Sequence, residues 1–158
     1  MSTLAFQDYY PDELSHCYGC GKNNPQGHQL KSHWADDGKE TVAHYLPAPH
    51  HTAIPGYVYG GLIASLVDCH GTGTASAAAY RAAGREPGSL PALRFVTGSL
   101  QVSFLAPTPL GVELELRGTP VEVKEKKVVV DIVVLANGKI TAKGQVIAVR
   151  MPDSMTPK

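Results

Sequence analysis

Residues 55–68 read PGYVYGGLIASLVD, and they mark the place where a loop gives way to a helix. The apolar residues after the two glycines recur at helical spacing and form one stripe: Leu62, Ile63, Leu66 and Val67. The pattern predicts a helix that begins near Gly60, runs to Ala79 or Arg81, and ends before Gly84.

Asp68 lies on this helix away from the apolar stripe. At ~100° per residue its side chain falls roughly 170° from the stripe. It shares that face with small residues: Ala64, Gly71, Ala75 and Ala79. A solvated helix face usually carries Lys, Glu and Gln, whereas this face has little charge apart from Asp68. We therefore expect a close neighbour on this face, and Asp68 is a candidate catalytic base or nucleophile.

Strand patterns flank the helix on both sides. Before it, residues 28–34 and 40–46 predict a hairpin. After it, alternating or apolar runs predict four further strands, at residues 93–105, 112–117, 128–135 and 140–151. Asn137-Gly138 is a strong two-residue hairpin signal between the last two. One helix among many strands predicts an α+β fold, with an antiparallel sheet curled around a single helix.

Length and composition limit the possible partners. The 158 residues predict one domain over 1–158, in which residues 1–26 form an irregular lead-in. Fourteen Lys and Arg balance 14 Asp and Glu, and no basic cluster stands out, so nucleic acid is not an expected partner. No apolar stretch reaches the ~18 residues of a membrane span. Three cysteines, an odd number, favour a cytoplasmic protein over a secreted disulfide framework.

The glycine pair at the start of the helix has two interpretations. The first turn of a helix leaves N–H groups unpaired at the positive end of the helix dipole, so Gly60-Gly61 is a candidate oxyanion or phosphate site. A bare steric requirement explains such pairs at least as often. Asp68, two helical turns further on, favours the catalytic interpretation because it adds a base or nucleophile.

Three segments carry a family resemblance. Residues 55–68 resemble the signature Pro-Gly-x-x-His-Gly-Gly-x6-Asp of the hotdog-fold acyl-CoA thioesterases of the phenylacetate-pathway type. Residues 17–27, CYGCGKNNPQG, resemble the lead-in of one branch of that family. Residues 100–107, LQVSFLAP, are similar to its long central strand and the proline that follows. The resemblance spans nearly the whole chain from about Cys17, and it implies a hotdog fold.

The resemblance also implies roles for individual residues. Gly61 would supply a backbone N–H to the thioester carbonyl, Asp68 would attack that carbonyl or activate a water, and Thr97 would orient the water. Simple strand alternation places Thr97 with Ser99, away from the apolar side, unless Gly98 marks a bulge that re-aims it. A surface threonine is the alternative. The family further implies a homodimer or dimer of dimers with active sites shared between subunits, and no cofactor.

Substrate contacts are expected from Tyr59, Gly60, His51 and Ser99. Tyr59 stands where the family pattern has His, which affects loop geometry and substrate choice more than the reaction class. A packing aromatic is the alternative for Tyr59. His50 or His51 would replace an amide that some relatives carry near Ala53.

The cysteines do not predict a metal site. Cys17 and Cys20 have the spacing of a zinc or redox pair, but no second pair follows, and His16 or His28 completes the site only by assumption. Cys69 is turned ~100° from Asp68 along the helix and is interpreted as a buried packing residue. We expect no bound metal.

These observations predict a thioesterase that hydrolyses an acyl-CoA or related thioester. The alternative is a non-catalytic hotdog module that binds acyl groups or other small ligands. A hydratase is less favoured because Tyr59 replaces the family His. Asp68 favours the enzyme, since burying an unused carboxylate costs several kcal/mol.

Overall fold

The computed structural model describes residues 4–157, so residues 1–3 of the predicted lead-in and residue 158 of the predicted domain lie outside it. The single α-helix, α1, spans Gly60–Ala82. The strands are β1 (Ser32–Trp34), β2 (Thr41–Tyr45), β3 (Phe95–Phe104), β4 (Leu114–Val123), β5 (Lys127–Ala136) and β6 (Lys139–Arg150). Short 3-10 turns lie at Phe6–Tyr9, Asp12–Leu14 and Asp153–Met155.

The six strands form one antiparallel sheet in the order β1-β2-β4-β5-β6-β3. Asn137 and Gly138 join β5 to β6 with φ of 53° and 77°, the left-handed pair that a type I′ hairpin turn requires. Helix α1 packs against β3, β4, β5 and β6. An antiparallel sheet wrapped around one long helix is the hotdog fold, so the predicted fold class is confirmed.

Close packing between α1 and β6 sets the depth of the helix in the sheet. Every α1 residue from Cys69 to Tyr80 is buried. A Cβ at Gly71 would lie 2.6 Å from the Cβ of Val146, and one at Gly144 would lie 2.6 Å from Cγ1 of Val67. The side chain of Val146 therefore packs against Gly71 of the helix, and the side chain of Val67 packs against Gly144 of the strand.

This packing changes the interpretation of the small-residue face around Asp68. The sequence predicts a close neighbour there, and Gly71 and Ala75 do have one. That neighbour is the chain's own sheet, because sheet curvature brings β6 against the helix. The small residues of this face are therefore not evidence for a second chain.

A buried polar network crosses the core at His70. Its Nδ1 lies 2.8 Å from the Ser32 hydroxyl and its Nε2 lies 3.0 Å from the Thr41 hydroxyl. Gln7 of the lead-in donates to the Ser32 hydroxyl at 3.0 Å and accepts from the Ser32 N–H at 2.9 Å. Burial lowers the pKa of His70 to about 4. The network ties the lead-in and β1 to the middle of the helix with neutral groups.

Within residues 4–157, no helix has the length and hydropathy needed to cross a lipid bilayer.

We expect Gly71→Val to lower the free energy of unfolding by about 1–3 kcal/mol, because the added carbons overlap Val146. Denaturant titration measures this loss. In the double variant Gly71→Val/Val146→Ala, the space released at Val146 should make the total loss smaller than the sum of the two single losses. Additive losses would contradict the packing described here.

Candidate active site

Asp68 is a half-buried carboxylate on the third turn of α1. Its Oδ1 accepts a hydrogen bond from the hydroxyl of Thr97 in β3. Burial raises the pKa of Asp68, and the Thr97 hydroxyl and the Arg94 guanidinium oppose that shift. The structure thus brings together two of the three predicted catalytic residues, which are 29 positions apart.

A β-bulge at Gly98 explains how Thr97 reaches the helix. The register between β3 and β6 shifts between Thr97 and Ser99. Thr97 pairs with Ala148 and Leu100 pairs with Val146, and both partners are fully buried beneath the helix. Directly opposed residues in an antiparallel pair project from the same face. The bulge therefore places Thr97 on the helix side, as the glycine at position 98 predicts.

The same bulge removes Ser99 from the site. Ser99 pairs with Ile147, which lies between the two inward-facing residues Val146 and Ala148 and therefore projects from the outer face. The sequence pattern groups Ser99 with Thr97 because alternation is counted without the extra residue. The predicted substrate contact of Ser99 is corrected: its side chain lies on the opposite face of the sheet from Asp68.

Tyr59 and the glycine pair form the start of α1. The carbonyl of Tyr59 accepts from the N–H of Leu62 at 3.2 Å, so Gly60 and Gly61 form the first helical turn. The ring of Tyr59 lies over Gly61, where a Cβ would be 2.8 Å from the tyrosine hydroxyl oxygen. Tyr59 is 47% exposed, which does not fit the alternative of a core-packing aromatic. Its hydroxyl lies beside the predicted oxyanion donor.

An open apolar groove begins at this end of the helix. Its volume is about 430 Å³, and the residues that line it include Tyr57, Gly60, Ile63, Phe104, Leu105 and Pro107. Gly60 forms the floor, since a Cβ there would lie 3.2 Å from the Phe104 ring. Phe104 and Leu105 are 54% and 56% exposed. The groove offers an apolar surface next to the first N–H groups of α1.

His51 is near the helix start through its backbone only. Its carbonyl accepts from the Tyr59 N–H at 3.1 Å. Its ring packs 5.2 Å from that of His28, and its Nδ1 accepts from the Ala48 N–H at 2.9 Å. Burial lowers the pKa of His51. None of the contacts found among residues 4–157 joins the His51 side chain to Asp68 or Gly61.

Gly61 and Asp68 lie far apart on the same helix. Seven residues at ~1.5 Å per residue separate them by about 10 Å along the axis. The structure therefore places the predicted oxyanion donor at the helix start and the carboxylate two turns away, so that the two do not form one compact site within the chain.

Cys69 has a neighbourhood that sequence reasoning missed. Its sulfur lies with those of Cys17 and Cys20, all within 4.8 Å of one another. Interactions with the thiols of Cys20 and Cys69 hold the pKa of Cys17 well below its usual range. The sequence shows the Cys17/Cys20 pair but no third member, because Cys69 is 52 positions from Cys17 and belongs to the helix. The expectation that this pair lacks a partner is therefore corrected.

Comparison with known proteins identifies the family. The sequence profile described as Thioesterase superfamily matches residues 55–143. The crystal structure of a thioesterase superfamily protein from Shewanella loihica PV-4 is 51% identical, covers 90% of this chain and 100% of that chain, and has a TM-score of 0.67. No curated protein matches the chain.

Two more distant structures share the fold. The Escherichia coli PaaI protein from the phenylacetic acid degradation operon is 17% identical, with 72% of this chain and 73% of that chain covered and a TM-score of 0.59. A Streptococcus mutans UA159 protein bound to acetyl-CoA is 18% identical, with 72% and 82% covered and a TM-score of 0.58. The profile match spans more than half of the chain and carries the 55–68 motif, so the chain belongs to the thioesterase superfamily.

Proposed function

We propose that the protein hydrolyses an acyl-CoA, or a related acyl thioester, to a free acid and a thiol. The observation that carries this proposal is the half-buried Asp68 carboxylate on the central helix, which accepts a hydrogen bond from the Thr97 hydroxyl of β3. It lies in a chain of the thioesterase superfamily. The Streptococcus mutans relative binds acetyl-CoA, which supports the CoA carrier. A reducing cytoplasm suits three free cysteines.

The chemistry needs a nucleophile and a donor for the developing oxyanion. Asp68 attacks the thioester carbon itself, or takes a proton from a water that attacks it. The carbonyl oxygen gains negative charge, which the N–H of Gly61 stabilises at the positive end of the helix dipole. If Asp68 acts as a base, the carbon–sulfur bond breaks as the proton taken from water passes to the thiolate, and the free acid and the thiol are released. If Asp68 is the nucleophile, the thiolate leaves and takes a proton from solvent, and water then hydrolyses the acyl anhydride on Asp68 to the free acid.

The distance between these groups supports a site shared by two subunits. A reacting carbonyl lies ~3–3.5 Å from its nucleophile and ~3 Å from its oxyanion donor. One carbonyl therefore cannot reach both Gly61 and Asp68 of the same helix, which are about 10 Å apart along its axis. Gly61 of one protomer and Asp68 of its partner would meet this requirement. The active unit we propose is therefore a homodimer; a dimer of dimers is a further prediction.

The edge strand β3 is the surface best suited to this dimer. Among residues 4–157 it pairs with β6 on one side only. Leu100 and Phe104 project from its helix side, since their partners Val146 and Ala142 are buried there, yet they are 38% and 54% exposed. A second copy placed along β3 would cover these side chains and bring its own Asp68 toward the groove.

The groove at the helix start would receive the substrate. Gly60 lies in its floor, next to the proposed oxyanion donor Gly61, and the ring of the neighbouring Tyr59 lies over Gly61. The apolar lining by Phe104 and Leu105 suits an acyl chain or the pantetheine arm. Tyr59 contributes a hydroxyl where the family pattern has an imidazole, so it would influence which acyl group is accepted.

Asp68→Asn keeps the size of the side chain but removes its charge and its ability to accept a proton. We expect kcat for thioester hydrolysis to fall at least ~100-fold with little change in KM, because Asp68 lowers the free energy of the transition state and contributes little to substrate binding. Thiol release from a panel of acyl-CoAs measures both constants, and a melting curve on the same preparation controls for folding. A destabilised variant with normal turnover would refute the assignment. Wild-type protein that binds acyl-CoA without hydrolysing it would instead identify a binding module.

Thr97 is tested with a matched pair of variants. Thr97→Val removes the hydrogen bond to Asp68 at nearly constant volume, and a hydrogen bond to a charged group contributes ~1.5–3 kcal/mol, so kcat should fall by about 10–100-fold. Thr97→Ser retains the hydroxyl and should stay within a few fold of wild type. Equal losses in both variants would show that the methyl group, not the hydroxyl, matters.

Mixed dimers test the shared site. Gly61→Pro removes the proposed oxyanion N–H at a helix position that tolerates proline. Gly61→Ala keeps that N–H and serves as its control. Each of Gly61→Pro and Asp68→Asn alone should be nearly inactive.

Refolding the two inactive variants together should restore about a quarter of the wild-type activity, because half of the dimers are mixed and each has one intact site. Light scattering should give at least twice the chain mass for all preparations. A mixture as inactive as its parents would place both groups in one chain, and a monomer mass would exclude the dimer.

A further inference from the structure

Three cysteines that the proposed hydrolysis does not use lie together next to Asp68. Cys17 and Cys20 come from the lead-in and Cys69 comes from α1, and the three sulfurs lie within 4.8 Å of one another. The Cys17 and Cys69 sulfurs are 3.8 Å apart. Tetrahedral zinc with Zn–S bonds of ~2.3 Å holds its sulfurs about 3.8 Å apart. The cluster therefore has the spacing of a zinc thiolate site.

The backbone around the Cys17–Cys20 pair is shaped for thiolates. The N–H of Gly21 donates to the Cys17 carbonyl at 2.8 Å and closes a tight turn. The N–H groups of Gly19 and Cys20 donate toward the Cys17 sulfur, and such bonds strengthen when the sulfur is negative. A Cβ at Gly19 would overlap the Cys69 sulfur, so glycine is what admits the third ligand.

The Tyr10 hydroxyl is an independent observation that points to a bound ligand at the cysteine cluster. Its hydroxyl is buried and has no hydrogen-bond partner among residues 4–157, and the phenol interacts electrostatically with all three cysteines. Leaving a buried hydroxyl unpaired costs ~1–3 kcal/mol. A metal-bound water would offer an acceptor to Tyr10.

Arg94 supplies a matching charge. Its guanidinium lies 4.2 Å over the Tyr10 ring and interacts electrostatically with Cys20. Three thiolates around a divalent ion carry one net negative charge, which this cation would balance in a largely buried place. Cys20 and Cys69 are 1% and 5% exposed, whereas Cys17 is half-buried. The half-buried side of the cluster leaves room for one solvent ligand.

We propose that Cys17, Cys20 and Cys69 bind one Zn²⁺ ion, with a solvent molecule as the fourth ligand. On binding, three Zn–S bonds replace bonds between the ion and water, and the protons that the thiols still hold pass to the buffer. The ion joins the lead-in to the helix at the residue after Asp68. Its role is structural: it holds the lead-in against α1 and takes no part in breaking the thioester.

A disulfide is the competing chemistry for these sulfurs. It would join two cysteines at ~2.05 Å and leave the third thiol alone. It would also leave Tyr10 facing neutral sulfur atoms. The convergence of all three sulfurs, together with Tyr10 and Arg94, favours the metal.

Cobalt titration of the reduced, full-length, metal-free protein tests the proposal. We expect one Co²⁺ per chain, with near-ultraviolet sulfur-to-cobalt charge-transfer bands and the visible bands of tetrahedral cobalt, all displaced by one equivalent of Zn²⁺. Cys20→Ser should lower the Zn²⁺ affinity at least ~100-fold, since it removes a ligand. The control His16→Ala removes an exposed imidazole next to Cys17 and should bind as wild type does.

If Cys20→Ser does not fold, the protection of thiols by Zn²⁺ in the wild-type protein still tests the proposal. In the metal-free protein the half-buried Cys17 thiol should react with a disulfide reagent, and one equivalent of Zn²⁺ should protect it. The absence of thiolate–cobalt bands, undiminished binding by a folded Cys20→Ser variant, or a disulfide that forms at the same rate with and without Zn²⁺ would each overturn the proposal.

Discussion

The reciprocal packing of α1 and β6 is the constraint on which the other features depend. Gly71 receives Val146, and Gly144 receives Val67, so the helix lies as deep in the sheet as two backbones allow. At this depth the side chain of Asp68 meets β3 and that of Cys69 meets the lead-in. A larger residue at either glycine would lift the helix and separate both groups from their partners.

The His70 imidazole is buried at this depth and is paired at both ring nitrogens. His70 is satisfied by Ser32 and Thr41, which belong to the two strands of the first hairpin. Because Gln7 completes that network, the lead-in is held to the same helix that carries Asp68. Two anchors on consecutive helical residues, His70 through hydrogen bonds and Cys69 through its sulfur, join the irregular segment to the centre of the fold.

Features that depend on local pattern could be predicted from the sequence, and features that depend on register or distance could not. The apolar stripe predicts α1, the Asn137-Gly138 pair predicts its hairpin, and both are confirmed. The predicted β4 ends at Arg117, yet pairing with β5 continues to Val123, which lies opposite Val128. Ser99 changes face because one extra residue at Gly98 reverses the alternation. The approach of Cys69 to Cys17 is a tertiary contact that no local pattern records.

The open edge of β3 has a consequence for the protein in a crowded solution. In the part of the chain that the structure describes, the outer edge of this ten-residue strand pairs with no other strand, and such an edge with apolar side chains is a template onto which an extended chain can add. In a monomer this strand edge stays accessible to any other chain, including partly folded copies of the same protein. Symmetric pairing of two such edges consumes both templates at once, so self-association would also protect this chain from aggregation.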